Sequence, residues 1–193
     1  MAIIREGNKS VLLIVDVQVG VMRESWDADR IVKNISRAVE RARAARVPVI
    51  WVQHSSKELV EDSLAWQWVP ELTPATDEAR IHKNFESSFE QTALESELAT
   101  HCATHIVLAG AQTSWCIRAT AYGALERGYD LTLIKDAHTT GNIDLGNGAS
   151  IEAENIIREF NIAMTWVSDP GRVNGIASAS EVDFDIPGQH LLA

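Results

Sequence analysis

Short runs of consecutive apolar residues, separated by stretches of helical period, constrain this chain more than any other feature. Val11-Leu12-Leu13-Ile14-Val15 is apolar without a break and ends at Asp16. A strand with one wet face would alternate in polarity. An unbroken run instead suits a strand buried on both faces of a parallel sheet. Val49-Ile50-Trp51-Val52, Ile106-Val107-Leu108-Ala109 and Leu131-Thr132-Leu133-Ile134 are further strands, and Ile162-Ala163-Met164-Thr165-Trp166 is read as the one that closes the sheet. Between the strands, residues 29–46 carry Ile31, Ile35, Ala38, Val39, Ala42 and Ala45 on one helical stripe. Asp27 and Asp29 lie at its start and Arg41, Arg43 and Arg46 at its end, as the helix dipole favours, and Pro48 stops it. Ser87-x-x-Glu90 has the form of a capping box opening a helix to about Ala99. Residues 113–127 form a helix stopped by Gly128, and another helix spans about 150–160. Strand and helix alternate throughout, so the expectation is one α/β domain over residues 1–193, with a core at 9–167 and an irregular tail at 168–193.

Composition removes several classes of function. Lys plus Arg is 17 against 27 Asp plus Glu, a formal net charge of −10, so neither nucleic acid nor an anionic membrane is expected as a partner. The two cysteines, Cys102 and Cys116, cannot build a four-cysteine zinc site or a disulfide framework, and a reducing, cytoplasmic compartment is expected. The longest aliphatic run is too short to span a bilayer.

In a parallel α/β sheet the ligand sits beyond the carboxyl ends of the strands, where strand order reverses. The turns there carry neither the dinucleotide nor the phosphate-loop glycine pattern, and there is no G-x-S-x-G elbow. They do carry Asp16 and the run Gly110-Ala111-Gln112-Thr113-Ser114-Trp115-Cys116. With Thr113 or Ser114 as cap, Cys116 falls in the first helical turn, where free N–H groups and the dipole stabilise a thiolate. It reads either as a nucleophile or as an inert buried thiol. Asp16 reads either as a turn cap or as a general base. Lys83, taken alone, reads as a surface lysine.

Taken together these stretches resemble the isochorismatase-like cysteine hydrolase superfamily, which includes nicotinamidases, N-carbamoylsarcosine amidases and ureidoacrylate amidohydrolases. The pieces are Leu13-Ile14-Val15-Asp16-Val17-Gln18, Pro48 to His54, Lys83-Asn84-Phe85-Glu86-Ser87-Ser88-Phe89, Val107 to Thr120, and Lys135-Asp136-Ala137, in that order across residues 9–167. The resemblance implies a three-layer α/β/α domain with a six-stranded, mostly parallel sheet. It implies a catalytic triad of Asp16, Lys83 and Cys116. It further implies a cis peptide at Ala111–Gln112, with the backbone N–H groups of Gln112 and Cys116 forming an oxyanion hole. The expected reaction is cleavage of a C–N bond in a small amide, ureide or carbamoyl compound through a thioester. Isochorismatase-type hydrolysis of a vinyl ether, or a member of the fold that binds without turnover, are the alternatives. Where nicotinamidases place paired metal ligands, this chain has Gln53-His54-Ser55-Ser56, so no metal and no other cofactor is expected. Cys102 stands where relatives have glycine, which implies a positive φ there. Candidate substrate-binding residues are Gln18, His54, Trp66, Trp68, Trp115 and His138, with the 54–86 loop supplying specificity. His82, His101, His105 and His190 read as surface or packing residues. Family members are commonly dimers or tetramers, and a homodimer or homotetramer is expected.

Overall fold

Every apolar run that precedes a helix lies at the centre of one sheet. The computed structural model describes residues 5–184. The sheet contains β1 (Lys9–Val15), β2 (Val49–His54), β3 (Ala79–Lys83), β4 (Ala103–Ala111), β5 (Asp130–Thr139) and β8 (Asn174–Ala177). Their order is β3-β2-β1-β4-β5-β8, and all pairs are parallel. The side chains of Leu12 and Ile14 enter one apolar layer with Ile31, Ile35 and Val39 of α2 (Ala28–Ala44). Val11, Leu13 and Val15 enter the opposite layer, against Leu98 of α3 (Leu94–Thr100), Ala121 and Ala124 of α4 (Arg118–Glu126), and Phe160 of α5 (Ala153–Trp166). Burial on both faces is why these strands never alternate in polarity. The architecture is the three-layer α/β/α arrangement with a six-stranded parallel sheet. Among the described residues no helix is long and apolar enough to cross a membrane.

Three local expectations need correction. Ile162–Trp166 is not a strand but the last turns of α5. Ile156, Phe160 and Met164 are buried at helical spacing and continue one apolar stripe through it, and tertiary packing overrides the strand-like composition. The closing strand is β8, from the segment expected to be irregular. It pairs with Leu131–Ile134 of β5. The tail beyond residue 184, with His190, lies outside the described residues. Ser87 opens no helix, and α3 begins at Leu94. The Ser88 hydroxyl and N–H both meet the hydroxyl of Thr120, and Thr92 donates to the Ser88 carbonyl, which holds this stretch in turns. The polar loop after β5 contains a small antiparallel hairpin, β6 (Ile143–Gly146) and β7 (Ala149–Ile151). Cys102 has φ 51°.

Two histidines are sealed inside. His105 lies between Ser10 and Thr132, at 2.8 and 2.9 Å. His138 lies between Thr113 and Asn161, at 2.8 and 3.0 Å. Burial pushes both pKa values from 6.5 down to about 4. In the unfolded chain both rings bind protons near 6.5, so the stability they contribute as neutral groups is complete above that pH and lost as pH falls toward 4. At about 1.4 kcal/mol per pH unit, the loss approaches roughly 3 kcal/mol for each ring. Urea denaturation is expected to show falling stability from pH 6.5 to 4, with a shallower slope in His105→Gln. A flat profile over that range would contradict neutral burial.

Candidate active site

Strand order reverses beside β1, which has β2 on one side and β4 on the other, and the site forms at their carboxyl ends. Asp16 follows β1 directly, with φ 53°, and its N–H donates to the Val52 carbonyl at 2.9 Å. Gly110 brings the end of β4 against that turn. It has φ 127°, and a Cβ there would lie 2.7 Å from the Val15 nitrogen, so no side chain fits. β5 bulges in the same region: Leu108 faces Leu133, whereas Gly110 already faces His138. That bulge places His138, Thr139 and Thr140 beside the turn that carries Cys116.

Lys83 arrives from the far side. It ends β3 opposite His54 in the register, and its side chain has no solvent exposure. Nζ lies 2.7 Å from Asp16 Oδ2 and 3.2 Å from Cys116 Sγ. It also donates to the Phe85 carbonyl at 3.1 Å and lies 3.2 Å from His54 Nδ1. An ammonium has three hydrogens and no lone pair, so it bonds at most three of these four neighbours at once and disfavours a proton on Nδ1. Burial and the Lys83 charge both lower the His54 pKa, which keeps the ring neutral. Burial alone would discharge Lys83, but Asp16 and Cys116 outweigh it and hold its pKa above the usual value. Burial raises the Asp16 pKa, with Lys83 opposing. Besides the Lys83 ammonium, the Cys116 thiol is a hydrogen-bond partner of the Asp16 carboxylate.

Cys116 sits in a wide, π-type turn, Thr113–Ile117, that leads into α4. The Gln112 carbonyl accepts from the N–H of Trp115 at 3.0 Å and of Ile117 at 3.1 Å, passing over the intervening N–H of Cys116. The Ala111–Gln112 peptide is cis. Neither Thr113 nor Ser114 caps the turn, contrary to the sequence expectation. Their hydroxyls bond sideways instead, Thr113 to His138 and Ser114 to Thr140 at 2.7 Å. Asn161 Nδ2 donates to the Lys135 carbonyl, so its Oδ1 accepts from His138 Nε2, and the Thr113 hydroxyl therefore donates to Nδ1. The expected lowered thiol pKa is also corrected. Burial and the neighbouring Asp16 carboxylate push the Cys116 thiol up to about 12, against the pull of Lys83. The resting sulfur keeps its proton.

Residues 10–166 match the family model described as the isochorismatase domain. The chain belongs to the isochorismatase family. It is 31% identical to the streptothricin hydrolase of Streptomyces noursei over 72% of its own length, and spans 58% of that relative. It is 25% identical to the ureidoacrylate amidohydrolase of Methylobacterium radiotolerans, covering 92% of this chain and 84% of that one. A crystal structure of an isochorismatase from Pseudomonas putida superposes with a TM-score of 0.81 at 24% identity, over 91% of this chain and 90% of the other, and shares its fold.

In this isochorismatase-family chain a cavity of about 460 Å³ opens over Asp16 and Cys116, with Lys83 behind them. Asp16, His54, Gln112, Trp115 and Cys116 reach it, and Trp115 is half exposed there. The other candidates do not line it. Gln18 is fully buried, and its amide is used up: Oε1 accepts from the His54 N–H, and Nε2 donates to the carbonyls of His54 and Trp66. It braces the first strand end to the second. Trp66 is also held by structure, with Nε1 donating to Ser55 and its ring stacked on His82. Trp68 packs edge-on against Trp51. His138 is buried behind the cysteine turn and is not a rim residue.

No sequence motif marks the outer wall. It comes from the short helix α1 (Val19–Met22) and from residues 56–65. Residues 65–69 pair with 17–20 through backbone bonds, including Gly20 N–H to the Ala65 carbonyl at 2.8 Å. A Cβ on Gly20 would lie 2.8 Å from Leu59 and 2.9 Å from Ala65, so this glycine lets the two walls close together. Among the described residues, no group of three or more His, Cys, Asp or Glu side chains is placed to hold a metal.

Proposed function

We propose that the protein is a cysteine hydrolase that cleaves the C–N bond of a small amide, ureide or carbamoyl compound. One observation carries the reading: Asp16 and Cys116 line a cavity, and a buried ammonium behind them, Lys83 Nζ, reaches both the carboxylate and the sulfur. A thiol raised to about 12 is unreactive at rest, and a carboxylate raised by burial is a stronger base than usual. The two fit a step in which Asp16 takes the thiol proton as sulfur attacks the carbonyl carbon. Lys83 stays charged and balances the negative charge that moves between them. The carbonyl oxygen becomes an oxyanion, for which the N–H groups of Gln112 and Cys116 are the proposed donors. Losing one such donor typically costs on the order of 10²–10³ in rate. As the tetrahedral species collapses, the C–N bond breaks, Asp16 returns its proton to the departing nitrogen, and a thioester remains on Cys116. Water, deprotonated by Asp16, then attacks the thioester carbon, and the thiolate leaves and regains the proton. The ureidoacrylate amidohydrolase supports C–N hydrolysis by its name and the streptothricin hydrolase supports hydrolysis, each name being said of that protein.

The test is a library of primary amides and ureides assayed by ammonia release, with Cys116→Ala as control. Release that depends on Cys116 is the expected result. Equal release by the Cys116→Ala protein on a true substrate would remove the thioester from the mechanism.

A further inference from the structure

Three successive polar residues at the end of β5, His138, Thr139 and Thr140, are buried, and none of them lines the cavity. Thr139 donates to the Trp26 carbonyl and ties the strand to the segment before α2. The other two reach the turn that carries Cys116. Ser114 meets Thr140, and Thr113 donates to His138. The second contact is the inner end of a longer chain of bonds. His138 Nε2 donates to Asn161 of α5, and Asn161 Nδ2 donates to the Lys135 carbonyl, back on β5. Each link sets the sense of the next. A carbonyl can only accept, so Lys135 turns the Asn161 amide; the amide oxygen draws the His138 proton to Nε2; the bare Nδ1 then accepts from Thr113. Burial keeps the ring neutral at ordinary pH, and Phe160 meets it edge-on. Buried polar chains in which every member is satisfied rigidify what they join.

The turn needs an outside hold. It is five residues long and of π type, no side chain caps it, and the N–H groups of Trp115 and Ile117 share the single carbonyl of Gln112. Such wide turns are rare and weakly bonded within themselves. Yet this one keeps the Cys116 sulfur 3.2 Å from Lys83 Nζ and beside the Asp16 carboxylate. We propose that Asn161 and His138, acting through the Thr113 hydroxyl, form a positioning relay that pins the cysteine turn to β5 and so fixes the sulfur on the Asp16–Lys83 pair. Asn161 is half-buried on α5, and neither it nor His138 nor Thr113 lines the cavity. They are positioning residues, and a side chain on the far helix thereby governs the reacting sulfur. The inference deepens the hydrolase reading and rests on it for its kinetic effects.

Thr113→Val keeps the shape and deletes the donor. On an amide that the library shows to be hydrolysed, it is expected to lower kcat about thirtyfold with KM within about twofold, since a misplacement of about 1 Å can cost on the order of 10²-fold. Thr113→Ser restores the hydroxyl and should recover most of that loss. Asn161→Ala should lower kcat about fivefold, and adding it to Thr113→Val should lower kcat no further, because members of one chain are not additive. Two readouts need no substrate. Nitrogen NMR of the His138 ring should show its proton on Nε2 in the parent, and a mixture of tautomers in Asn161→Ala. Alkylation by iodoacetamide at about pH 8, followed by peptide mass, should be about fivefold faster at Cys116 in Thr113→Val than in the parent, as the loosened sulfur leaves its buried place. Exposed Cys102 is the reference thiol and should not change. A parent ring with its proton on Nδ1, or a Thr113→Val protein with the parent rate of alkylation, would overturn the proposal. So would a Thr113→Val protein that is less stable but hydrolyses amides with the parent kcat, since the chain would then only brace the fold. If tautomer and alkylation behave as expected but no amide releases ammonia, the relay stands and the C–N hydrolase reading falls.

Discussion

Cys116→Ala is expected to reduce turnover by on the order of 10⁴-fold or more while leaving the fold in place. The sulfur is the atom that would bond to the substrate, and no second thiol is near it: the other cysteine, Cys102, follows α3 on the exposed surface. Removing the sulfur leaves the Asp16–Lys83 ion pair intact and strips only a partly buried atom from the edge of the apolar layer, so thermal stability should change little. Cys116→Ser tests chemistry at nearly constant shape. A hydroxyl beside the same carboxylate is a far weaker nucleophile, and its rate should fall close to that of the alanine variant. Acid-quenched parent protein, caught during turnover, should show a mass adduct on the Cys116 peptide that both variants lack. Turnover within tenfold of the parent in either variant would place the chemistry elsewhere.

The second large effect is on stability. The Asp16–Lys83 pair is buried, with side-chain exposures of 2% and 0%. Removing one partner from such a pair commonly costs about 3–5 kcal/mol, because the other is left charged in a poor solvent. Lys83→Met should lose that much at neutral pH. The sign of its pH dependence follows from Asp16. Without the ammonium the carboxyl pKa rises further above that of the unfolded chain, so lowering the pH protonates Asp16 and shrinks the deficit. Combining Lys83→Met with Asp16→Asn removes both charges, and most of the lost stability should return. Asparagine suits this position because Asp16 has φ 53°, a conformation asparagine tolerates. Neither protein should turn over substrate. A deficit in Lys83→Met that stays constant from pH 7 to the acid range, or a double variant no more stable than the single, would mean the ion pair is not what the sheet end is built around.

The central strands were legible because burial on both faces writes the same message at every position, as in Val11–Val15. The closing strand was not. Asn174–Ala177 is four residues long, only half buried and contains Gly175, and its place is fixed by the open backbone of β5 rather than by any pattern of its own. Ile162–Trp166 looked more like a strand because its composition hides that Met164 continues the stripe of Ile156 and Phe160. At the site, Asp16 and Cys116 stood out by position at strand ends. Lys83 depended on the family resemblance, since reaching the centre from β3 is a three-dimensional fact. Gln18 and His138 looked like ligand contacts because a polar residue after a strand reads the same whether it faces a cavity or braces the main chain. The outer-wall residues Glu24 and Glu58 carried no signal at all, because a wall is defined by which loop folds over which.

The 56–65 segment hangs from two fixed points: the end of β2, tied to Gln18, and the ladder that joins 65–69 to 17–20. The ladder is made of main-chain bonds, which almost any sequence can form. Exchange of the stretch between these hinges therefore leaves Asp16, Lys83 and Cys116 where they are. One wall of the cavity can thus change its shape and charge while the strand ends beneath it keep theirs.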